Sequence, residues 1–428
     1  MRAILAADIL PADDLADAQS ILRACVHCGF CNATCPSYQV LGDEQDGPRG
    51  RIYLMKHLLE GGDVTASTRT HLDRCLGCRA CETTCPSGVR YTRLLELVRP
   101  EVDRAAPRGV GDRVVRWLLR RLVSSRARFG ALLAVGRMFR GVLPRHLRQL
   151  IPARRKVEFQ GNDAPRSTTF LALEGCVQEA AAPEINRAAE CVLGAIGIGV
   201  KRVPSAGCCG ALPLHLGATT EAEACARRNI DAWWPLIARG EVAGVVSASS
   251  GCTQVLQDYG HLLRHDPRYA DRARRLAAVV RDAAELVEPT DLAAMPRDAA
   301  GEPSLVTLAF QAPCSLQHGL RAHDRVERAL RAVGYGLVPV PDGHLCCGSA
   351  GTYSLLQPKI AGELRERKLE ALEASAPSAI ATANVGCLLH LQQAATIPVR
   401  HWLELIADRI AGCSRTPAAT PEGRQEYQ

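Results

Sequence analysis

Aromatic residues are scarce in this chain, at 4% of its 428 residues. Because single-stranded nucleic acid is commonly bound by stacking on aromatic side chains, this scarcity argues against such a partner. The longest apolar runs, Phe129–Gly136 and Cys191–Val200, are far shorter than the roughly 20 residues that span a bilayer. Met1–Asp8 carries no basic cluster and is followed by acids, unlike a signal peptide.

Signatures of substrate chemistry are missing as well. No G-x-G-x-x-G fingerprint follows a strand-like run, so a dinucleotide site is not predicted. No spacing identifies a nucleophile with its base, or an acid–base pair. A chain without such groups depends on another subunit to transform an organic substrate.

Positive charge is concentrated in one segment. The chain has a net charge of +7, whereas residues 104–156 hold fourteen Arg and one Lys against one acid, Asp112, which leaves the rest at −7. Between these arginines, apolar residues recur at helical spacing (Val115, Leu118, Leu119 and Leu122). Such a helix can dock on a partner, lie on an anionic membrane surface, or pack as a solvated linker on its own domain. No nucleic-acid-binding motif accompanies the charge.

Cysteine, in contrast, is abundant, with 19 residues. An odd number in a long chain without a secretion signal is a poor disulfide framework. We therefore predict a reduced, cytoplasmic protein whose cysteines hold metal. The basic segment, residues 104–156, would allow peripheral contact with the inner face of the cell membrane.

Two runs of the form C-x2-C-x2-C-x3-C-P occupy residues 25–36 and 75–86. Three thiolates at this spacing can wrap a loop around one corner of an iron–sulfur cubane, and in two-cluster ferredoxins the fourth Cys ligates the other cluster. The pattern predicts two [4Fe-4S] clusters. Their ligand sets are Cys25, Cys28, Cys31 and Cys85 for the first cluster, and Cys75, Cys78, Cys81 and Cys35 for the second.

Structural zinc is the alternative for these cysteines. Zinc sites commonly use two C-x2-C pairs or combine Cys with His, so two runs of four with a Pro fit iron–sulfur better. The insert Leu41–Arg74 is long for a minimal ferredoxin, and its predicted helix at Gly50–Lys56 indicates a helix-rich domain. Its cations can offset cluster charge or be ordinary surface charge (Arg49, Arg51 and Lys56).

The rest of the chain reads as two copies of one unit. Strand-like runs at Thr168–Leu173 and Leu305–Phe310 lead to Cys176 and Cys314. In both copies this Cys lies 32 positions before the first Cys of a Cys-Cys-Gly triplet, and a Gly-Cys follows 43 or 40 positions after the second. Helix-like and strand-like segments alternate in between, which predicts α/β units with mainly parallel sheets.

Each copy supplies four thiols, enough for one cubane. They are Cys176, Cys208, Cys209 and Cys252 in the first copy, and Cys314, Cys346, Cys347 and Cys387 in the second. The Gly after each pair lets the backbone approach a ligand. We predict further iron–sulfur clusters here, with ordinary buried thiols as the alternative. Cys191, Cys225 and Cys413 stand apart from these repeated cysteine groups and are predicted to pack between helices.

These segments predict a multidomain α+β protein. A helix-rich two-[4Fe-4S] ferredoxin-type domain covers residues 1–100, and a basic helical linker covers 101–166. Two α/β Cys-Cys-Gly repeat units follow, module 1 at 167–290 and module 2 at 303–413. The linker between the modules is predicted at Pro289–Pro303.

This arrangement resembles the iron–sulfur subunits of bacterial glycolate oxidase (glycolate dehydrogenase). Four stretches are particularly similar: DGPRGRIYL at 46–54, DRCLGC at 73–78, CETTCPSGV at 81–89 and PCSLQHG at 313–319. The likeness covers most of the chain apart from the basic segment and the tail from residue 414. Iron–sulfur subunits of anaerobic glycerol-3-phosphate dehydrogenase and heterodisulfide reductase-like subunits share the architecture.

The resemblance implies a division of labour within an oxidoreductase complex. Flavin-containing partner subunits, which alone hold FAD, would oxidise glycolate to glyoxylate. This chain would carry the electrons to a quinone or another membrane acceptor. No catalytic residue is predicted in it.

The chain departs from the broader module pattern at one position in each copy. That pattern ends in C-x-x-C, and its first Cys is replaced by Ser249 and by Asn384. The disulfide-cleaving cluster of heterodisulfide reductase needs the fuller set. A cubane, partial occupancy or no cluster therefore stay open for each module. The rival functions are a subunit of glycerol-3-phosphate or lactate dehydrogenase, a heterodisulfide reductase-like subunit and a structural metal scaffold.

Overall fold

The computed structural model describes residues 3–144, 148–152, 157–160, 166–296, 306–411 and 413–417. Its elements form a helical amino-terminal domain, two extended basic helices and two parallel-sheet modules. The predicted fold class is confirmed. Part of the predicted linker Pro289–Pro303 is a short helix, Pro289–Ala293, and residues 297–303 lie outside the described ranges.

The amino-terminal domain is built from helices that enclose the cysteine loops. Prolines at the first helical position begin two of the helices, since proline there loses no helical hydrogen bond. Leu22, Met55, Leu59 and Leu94 are fully buried between the helices. The helices are α1 Ala12–Ala24, α2 Phe30–Ala33, α3 Pro36–Leu41, a 3-10 turn Glu44–Asp46, α4 Pro48–Leu59, α5 Ala66–Asp73, α6 Ala80–Thr84 and α7 Tyr91–Ala105.

The basic segment forms α8, Val110–Val123, and α9, Arg126–Met138. Two arginines of α8 face the protein, whereas Arg113 and Arg121 are exposed. Arg116 is 7% exposed and binds Asp73 Oδ2 at 3.1 Å, while Arg120 binds Glu221 at 3.1 Å. Many apolar side chains are also exposed, on both helices and just beyond them: Val110, Val114, Val115, Trp117, Leu118, Leu132, Val135, Met138, Phe139 and Val142. We call this surface the apolar face.

The two modules repeat one sheet topology. The strands of module 1 are β2 Thr168–Leu173, β3 Ile198–Arg202, β4 Gly244–Ser247 and β5 Val280–Asp282, and those of module 2 are β6 Thr307–Gln311, β7 Gly336–Val338, β8 Ala379–Thr382 and β9 Val399–His401. Module 1 has the parallel order β3-β2-β4-β5, and module 2 has the parallel order β7-β6-β8-β9. A separate antiparallel pair joins β1 Val157–Gln160 to β10 Ser414–Pro417.

Helices cover both sheets. In module 1 they are Cys176–Ala181, Glu184–Ala195, Ala211–His215, Thr219–Ala238, Ser250–Gln257, Tyr259–Leu262, Ala270–Ala278 and Ala283–Leu286. In module 2 they are the π-helix Ser315–Leu320 and the α-helices His323–Ala332, Tyr353–Leu356, Pro358–Glu373, Val385–Leu391 and Trp402–Ala407. One continuous core contains residues of both sheets, such as Phe170 and Leu308, so the modules are packed against each other.

The amino-terminal domain contacts both modules. Arg93 binds Asp258 of module 1 at 2.8 Å, and Asp14 binds Arg264. Tyr353 of module 2 donates its hydroxyl to the Arg74 carbonyl at 3.0 Å. These contacts hold the cysteine loops of the amino-terminal domain against the two modules.

Candidate iron–sulfur centres

The first predicted ligand set surrounds one cavity. Cys25, Cys28, Cys31 and Cys85 line this cavity together with Phe30, Ile52 and Val89. Gly29, with φ of +84°, turns the loop into the short helix α2, a conformation that glycine adopts without strain. Cys28 is exposed, and the neighbouring Val26 and Phe30 form an apolar rim beside it.

The second set surrounds another cavity. Cys35, Cys75, Cys78 and Cys81 line it together with Arg51 and Tyr91. The Gly77 N–H points at Cys75 Sγ at 3.4 Å. The structure thus brings together the crossed sets that the spacing predicts, each with three thiols from one run and the fourth from the other.

A single layer of side chains separates the two cavities. Pro48, Cys81 and Tyr91 line both of them. Tyr91 is buried between them, and burial followed by the charge of Cys75 raises the pKa of its phenol. Groups held in the two cavities would be close neighbours.

A buried cation lies beneath the second cavity. Arg51 is 1% exposed, donates to the His71 carbonyl at 2.7 Å and to Ser37 Oγ at 3.0 Å, and lies 3.9 Å from Cys35 Sγ. Its charge is balanced by Asp46, which is fully buried and also bound by Arg74. Arg51 is therefore not an ordinary surface charge, and it lies where its charge can offset that of the second ligand set.

The other two cations of the insert are more accessible. Arg49 pairs with Glu44 at 2.6 Å, and Lys56 pairs with Glu60 at 2.6 Å. The Arg49 guanidinium also lies close to Gly29 in the loop of the first cavity.

The thiols in both cavities need a metal to lose their protons. Burial, followed by the charge of Cys25, raises the pKa of Cys31 to about 11. Burial raises the pKa of Cys78 and Cys81 well above the ordinary value of a thiol. Since metals bind the thiolate, loading would displace protons from these residues.

Module 1 also brings its four predicted thiols together. Cys176 Sγ lies 3.4 Å from Cys208 Sγ, and Cys209 Sγ lies 3.3 Å from Cys252 Sγ. Cys252 lies in the first turn of the helix Ser250–Gln257, beyond the strand. The prediction that Cys225 stands apart from the other thiols is wrong, because Cys225 forms a hydrogen bond with Cys208. This bond, followed by burial, raises the pKa of Cys225.

Module 2 forms an equivalent group. Hydrogen bonds link Cys314 to Cys346, Cys346 to Cys347, and Cys347 to Cys387. The glycine after each pair, Gly210 or Gly348, has φ of about +90°. Its N–H points at the first Cys of the pair, at 3.4 Å from Cys208 Sγ and 3.5 Å from Cys346 Sγ.

The residues that surround the two groups differ. Gly210 faces Cys225, whereas Gly348 faces Leu364. Four residues further along the same two helices, module 1 has Asn229 and module 2 has Lys368, which is 3% exposed. Burial lowers the pKa of Lys368, and the nearby thiols Cys347, Cys346 and Cys387 oppose that shift. The module 1 group has the Arg228 guanidinium beside it, which donates to the Cys208 carbonyl at 2.9 Å.

The two positions that depart from C-x-x-C face each other across the module boundary. Ser249 Oγ donates to Asn384 Oδ1 at 2.7 Å, and Asn384 Nδ2 lies 3.8 Å from Cys387 Sγ. Ser250 and Ser315 form a second contact of 2.7 Å nearby. Ser249 and Asn384, which stand where the broader pattern has Cys, are thus part of the contact between the modules.

The prediction for Cys191 and Cys413 is wrong. The two residues form a disulfide that ties the module 1 helix Glu184–Ala195 to the end of module 2. Their separation of 222 residues gave no local signal of the pairing.

Module 2 is electrostatically coupled to the second cavity. Burial, and then the charge of Cys314, raises the pKa of Cys78. The charge of Cys78 in turn contributes to the raised pKa of Cys346. His318 joins the same boundary, since its ring nitrogens contact Thr83 Oγ1 at 2.9 Å and the His344 carbonyl at 3.0 Å.

The residues present fit iron–sulfur clusters. Each cavity of the amino-terminal domain offers four convergent thiols, apolar walls and backbone N–H groups near sulfur, which is the environment that such clusters use. In both modules, four thiols lie in one connected group. The donor sets favour iron–sulfur over zinc, because paired runs of this form exceed what a zinc site requires.

Comparisons with known proteins agree with this geometry. Residues 21–89 match the family described as 4Fe-4S dicluster domain, and residues 170–257 and 308–392 match the family described as cysteine-rich domain. The glycolate oxidase iron–sulfur subunit of Escherichia coli strain K12 is 47% identical over 396 residues, which cover 92% of this chain and 95% of that protein. The chain belongs to the glycolate oxidase iron–sulfur subunit family.

Two further relatives are similar to the chain over different shares of its length. A probable glycolate oxidase iron–sulfur subunit of Bacillus subtilis strain 168 is 31% identical, over 87% of this chain and 88% of that protein. Lactate utilization protein A of Bacillus licheniformis is 25% identical, over 47% of this chain and 83% of that protein. Among the residues that the structure describes, no helix is both long and apolar enough to cross a membrane.

Proposed function

We propose that this chain is the electron-transfer subunit of a flavin-dependent glycolate oxidase complex. It relays electrons from a flavin on a partner subunit to a quinone-type acceptor, while the partner oxidises glycolate to glyoxylate. The observation that carries the proposal is the pair of four-thiol cavities separated by Pro48, Cys81 and Tyr91. The names of the full-length relatives supply the substrate.

The ligand sets follow from the cavities. Cys25, Cys28, Cys31 and Cys85 would hold one [4Fe-4S] cluster, and Cys35, Cys75, Cys78 and Cys81 would hold the other. Bound there, such clusters supply one-electron transfer at a potential set by burial, hydrogen bonds and charge. Arg51 places a fixed positive charge beside the second set, and this charge favours the reduced state there.

The modules are proposed to hold further clusters. Cys176, Cys208, Cys209 and Cys252 would bind one, and Cys314, Cys346, Cys347 and Cys387 would bind another. Lys368 compensates negative charge at the module 2 group, which is also the group coupled to Cys78. Module 2 is therefore the better placed of the two to exchange electrons with the second cavity.

Metal analysis combined with EPR tests the proposal. Anaerobically purified protein should contain about eight iron atoms and as many sulfides if only the amino-terminal domain is loaded, and about sixteen if both modules are loaded. In the complex with its flavin subunits, glycolate should produce the EPR signals that dithionite produces. Iron-free protein after reconstitution, or reducible centres that glycolate leaves oxidised, would contradict the electron-transfer role.

The same assay separates the rival functions. Lactate or glycerol 3-phosphate in place of glycolate identifies a related dehydrogenase, and lactate has support from the partial likeness to lactate utilization protein A. Disulfide turnover by the reconstituted chain alone would identify a heterodisulfide reductase, which the Ser249–Asn384 contact disfavours because the fuller ligand set is absent. Metal without any reducible signal would identify a scaffold.

The apolar face supports peripheral contact with an anionic membrane. Exposed apolar side chains gain by insertion among lipids, while the excess of arginine in the basic segment is attracted to anionic headgroups. Trp117, 51% exposed, is suited to the interface between water and hydrocarbon.

Replacing Trp117 by Glu should weaken membrane binding. The change adds a negative charge to the centre of the apolar face, so co-sedimentation with vesicles of anionic phospholipid should fall at least about tenfold in apparent affinity. Tyr53→Glu is the matched control, since Tyr53 is similarly exposed but lies on α4. Equal binding by Trp117→Glu and the unmodified complex would rule out this surface.

A further inference from the structure

One histidine belongs to the loop of the first cavity. His27 lies between the predicted ligands Cys25 and Cys28, and it lines the cavity together with them. Its Nε2 atom is buried and has no hydrogen-bond partner among the residues that the structure describes. Because buried polar groups in folded proteins are nearly always hydrogen-bonded, this exception indicates a partner that the chain itself does not supply.

The backbone at His27 is also unusual. Its φ is +57°, in the left-handed region where a residue with a Cβ is strained. The same position of the second run holds Gly77, with φ of +65°. Glycine is thus enough to close this turn, and the first run carries an imidazole there despite the strain. The ring, and not the turn, distinguishes the first loop from the second.

Sulfur is the acceptor that the first cavity offers to this ring. Four thiols line the cavity, the other side chains around it are mostly apolar, and Arg49 can only donate hydrogen bonds. The sulfurs of an iron–sulfur cluster accept hydrogen bonds and cannot donate them. Imidazole can donate from Nε2 both as the neutral Nε2–H tautomer and in its protonated form, so donation does not depend on its charge.

The second cavity has a different group beside its thiols. There the buried guanidinium of Arg51 lies 3.9 Å from Cys35 Sγ. At the first cavity, Arg49 is more accessible and is paired with Glu44 at 2.6 Å. The two ligand sets therefore differ in their polar neighbours, with a buried cation beside the second and a buried imidazole nitrogen beside the first.

We propose that His27 tunes the first [4Fe-4S] cluster by donating a hydrogen bond from Nε2 to one of its sulfurs. The proposal rests on the proposed function and deepens it. A hydrogen bond to sulfur stabilises the reduced cluster more than the oxidised one, because the reduced form carries the larger negative charge. The flavin hydroquinone of the partner subunit can then pass an electron to this site more readily. His27 keeps its proton throughout.

Pulsed EPR tests the contact directly. The complex is prepared with histidine that carries 15N in the ring only, because the backbone N–H of His27 also donates to Cys25. After reduction by dithionite, a 15N hyperfine coupling should appear at one cluster. This coupling should be absent from His27→Leu and unchanged in His57→Leu. His57 is the matched control, since it is exposed on α4 and does not line the cavity.

Redox titration measures the effect on potential. In His27→Leu, the ratio of reduced to oxidised cluster at a fixed potential should fall about tenfold for the cluster that shows the coupling, which lowers its midpoint by about 59 mV. His27→Gln keeps an N–H donor on a side chain of similar reach and should restore most of the potential. His27→Gly reproduces the second run without backbone strain, so it provides the same comparison if the leucine variant fails to fold.

The outcomes separate this inference from the relay itself. Clusters that are present by iron analysis and EPR but show no ring 15N coupling would overturn the role of His27 and leave the relay intact. Native midpoints in His27→Leu or His27→Gly would do the same, as would a midpoint that falls equally in His27→Gln, since the donor would then not matter. An unmodified complex without reducible clusters would overturn the proposed function, and the role of His27 with it.

Discussion

Complexes that carry Cys78→Ala should lose one cluster and stop reducing quinone, while glycolate still reduces the flavin. Cys78 lines the second cavity and lies beside Cys314 of module 2, so its loss breaks both the ligand set and the coupling between the two sites. We expect about four fewer iron atoms per chain. Stopped-flow absorbance would show normal flavin reduction, and quinone reduction should be undetectable.

The matched control changes a cluster loop without touching a ligand. Val26→Ala shortens an exposed side chain in the loop of Cys25 and Cys28 and should leave iron content and turnover unchanged. Full quinone reduction by Cys78→Ala would refute a relay through the second cavity. Loss of flavin reduction in the same variant would show instead that the complex no longer assembles.

Replacement of Arg51 by Met should give the second largest effect. Arg51 is buried with Asp46, and removing one partner of a buried pair costs about 3–5 kcal/mol, because the other charge is left without compensation. The hydrogen bonds to the His71 carbonyl and to Ser37 Oγ are lost as well. The free energy of unfolding should fall accordingly, and the EPR signal of the second cluster should disappear or shift to lower potential.

Arg49→Met provides the comparison on the same helix. Arg49 is more accessible, and its pair with Glu44 is of the surface type, worth at most about 1 kcal/mol. Denaturation and redox titration of the two variants side by side would show whether burial decides the effect. An Arg51→Met protein with native stability and native potentials would contradict the role assigned to the buried cation.

Local spacing predicted much of this molecule because iron–sulfur ligands are encoded over short distances. The crossed sets around the two cavities follow from two runs of twelve residues. The repeat of the modules follows from one equal gap and one similar gap between cysteines. The strand Thr168–Leu173 has the predicted bounds, and the helix predicted at Gly50–Lys56 extends over Pro48–Leu59.

Features that depend on distant partners could not be predicted in this way. Arg116 and Arg120 of α8 turn inward because they pair with Asp73 and Glu221, which are far away in sequence. The Cys191–Cys413 disulfide and the approach of Cys225 to Cys208 are equally non-local. In the sequence Lys368 has the pattern of a surface lysine on a helix, and its burial is evident only from the fold.

Because the two modules share one core, a single repeat is not an independent folding unit. The helix Glu184–Ala195 of module 1 packs against the helix Trp402–Ala407 of module 2, so neither copy can shield its own apolar side from water. A lone repeat would have to pair with a second chain to fold, much as a symmetric dimer does. Because both halves lie in one polypeptide, the sequences on the two sides of the contact can differ. The Ser249–Asn384 pair and the contrast between Cys225 and Leu364 are differences that an identical pair of subunits could not have held.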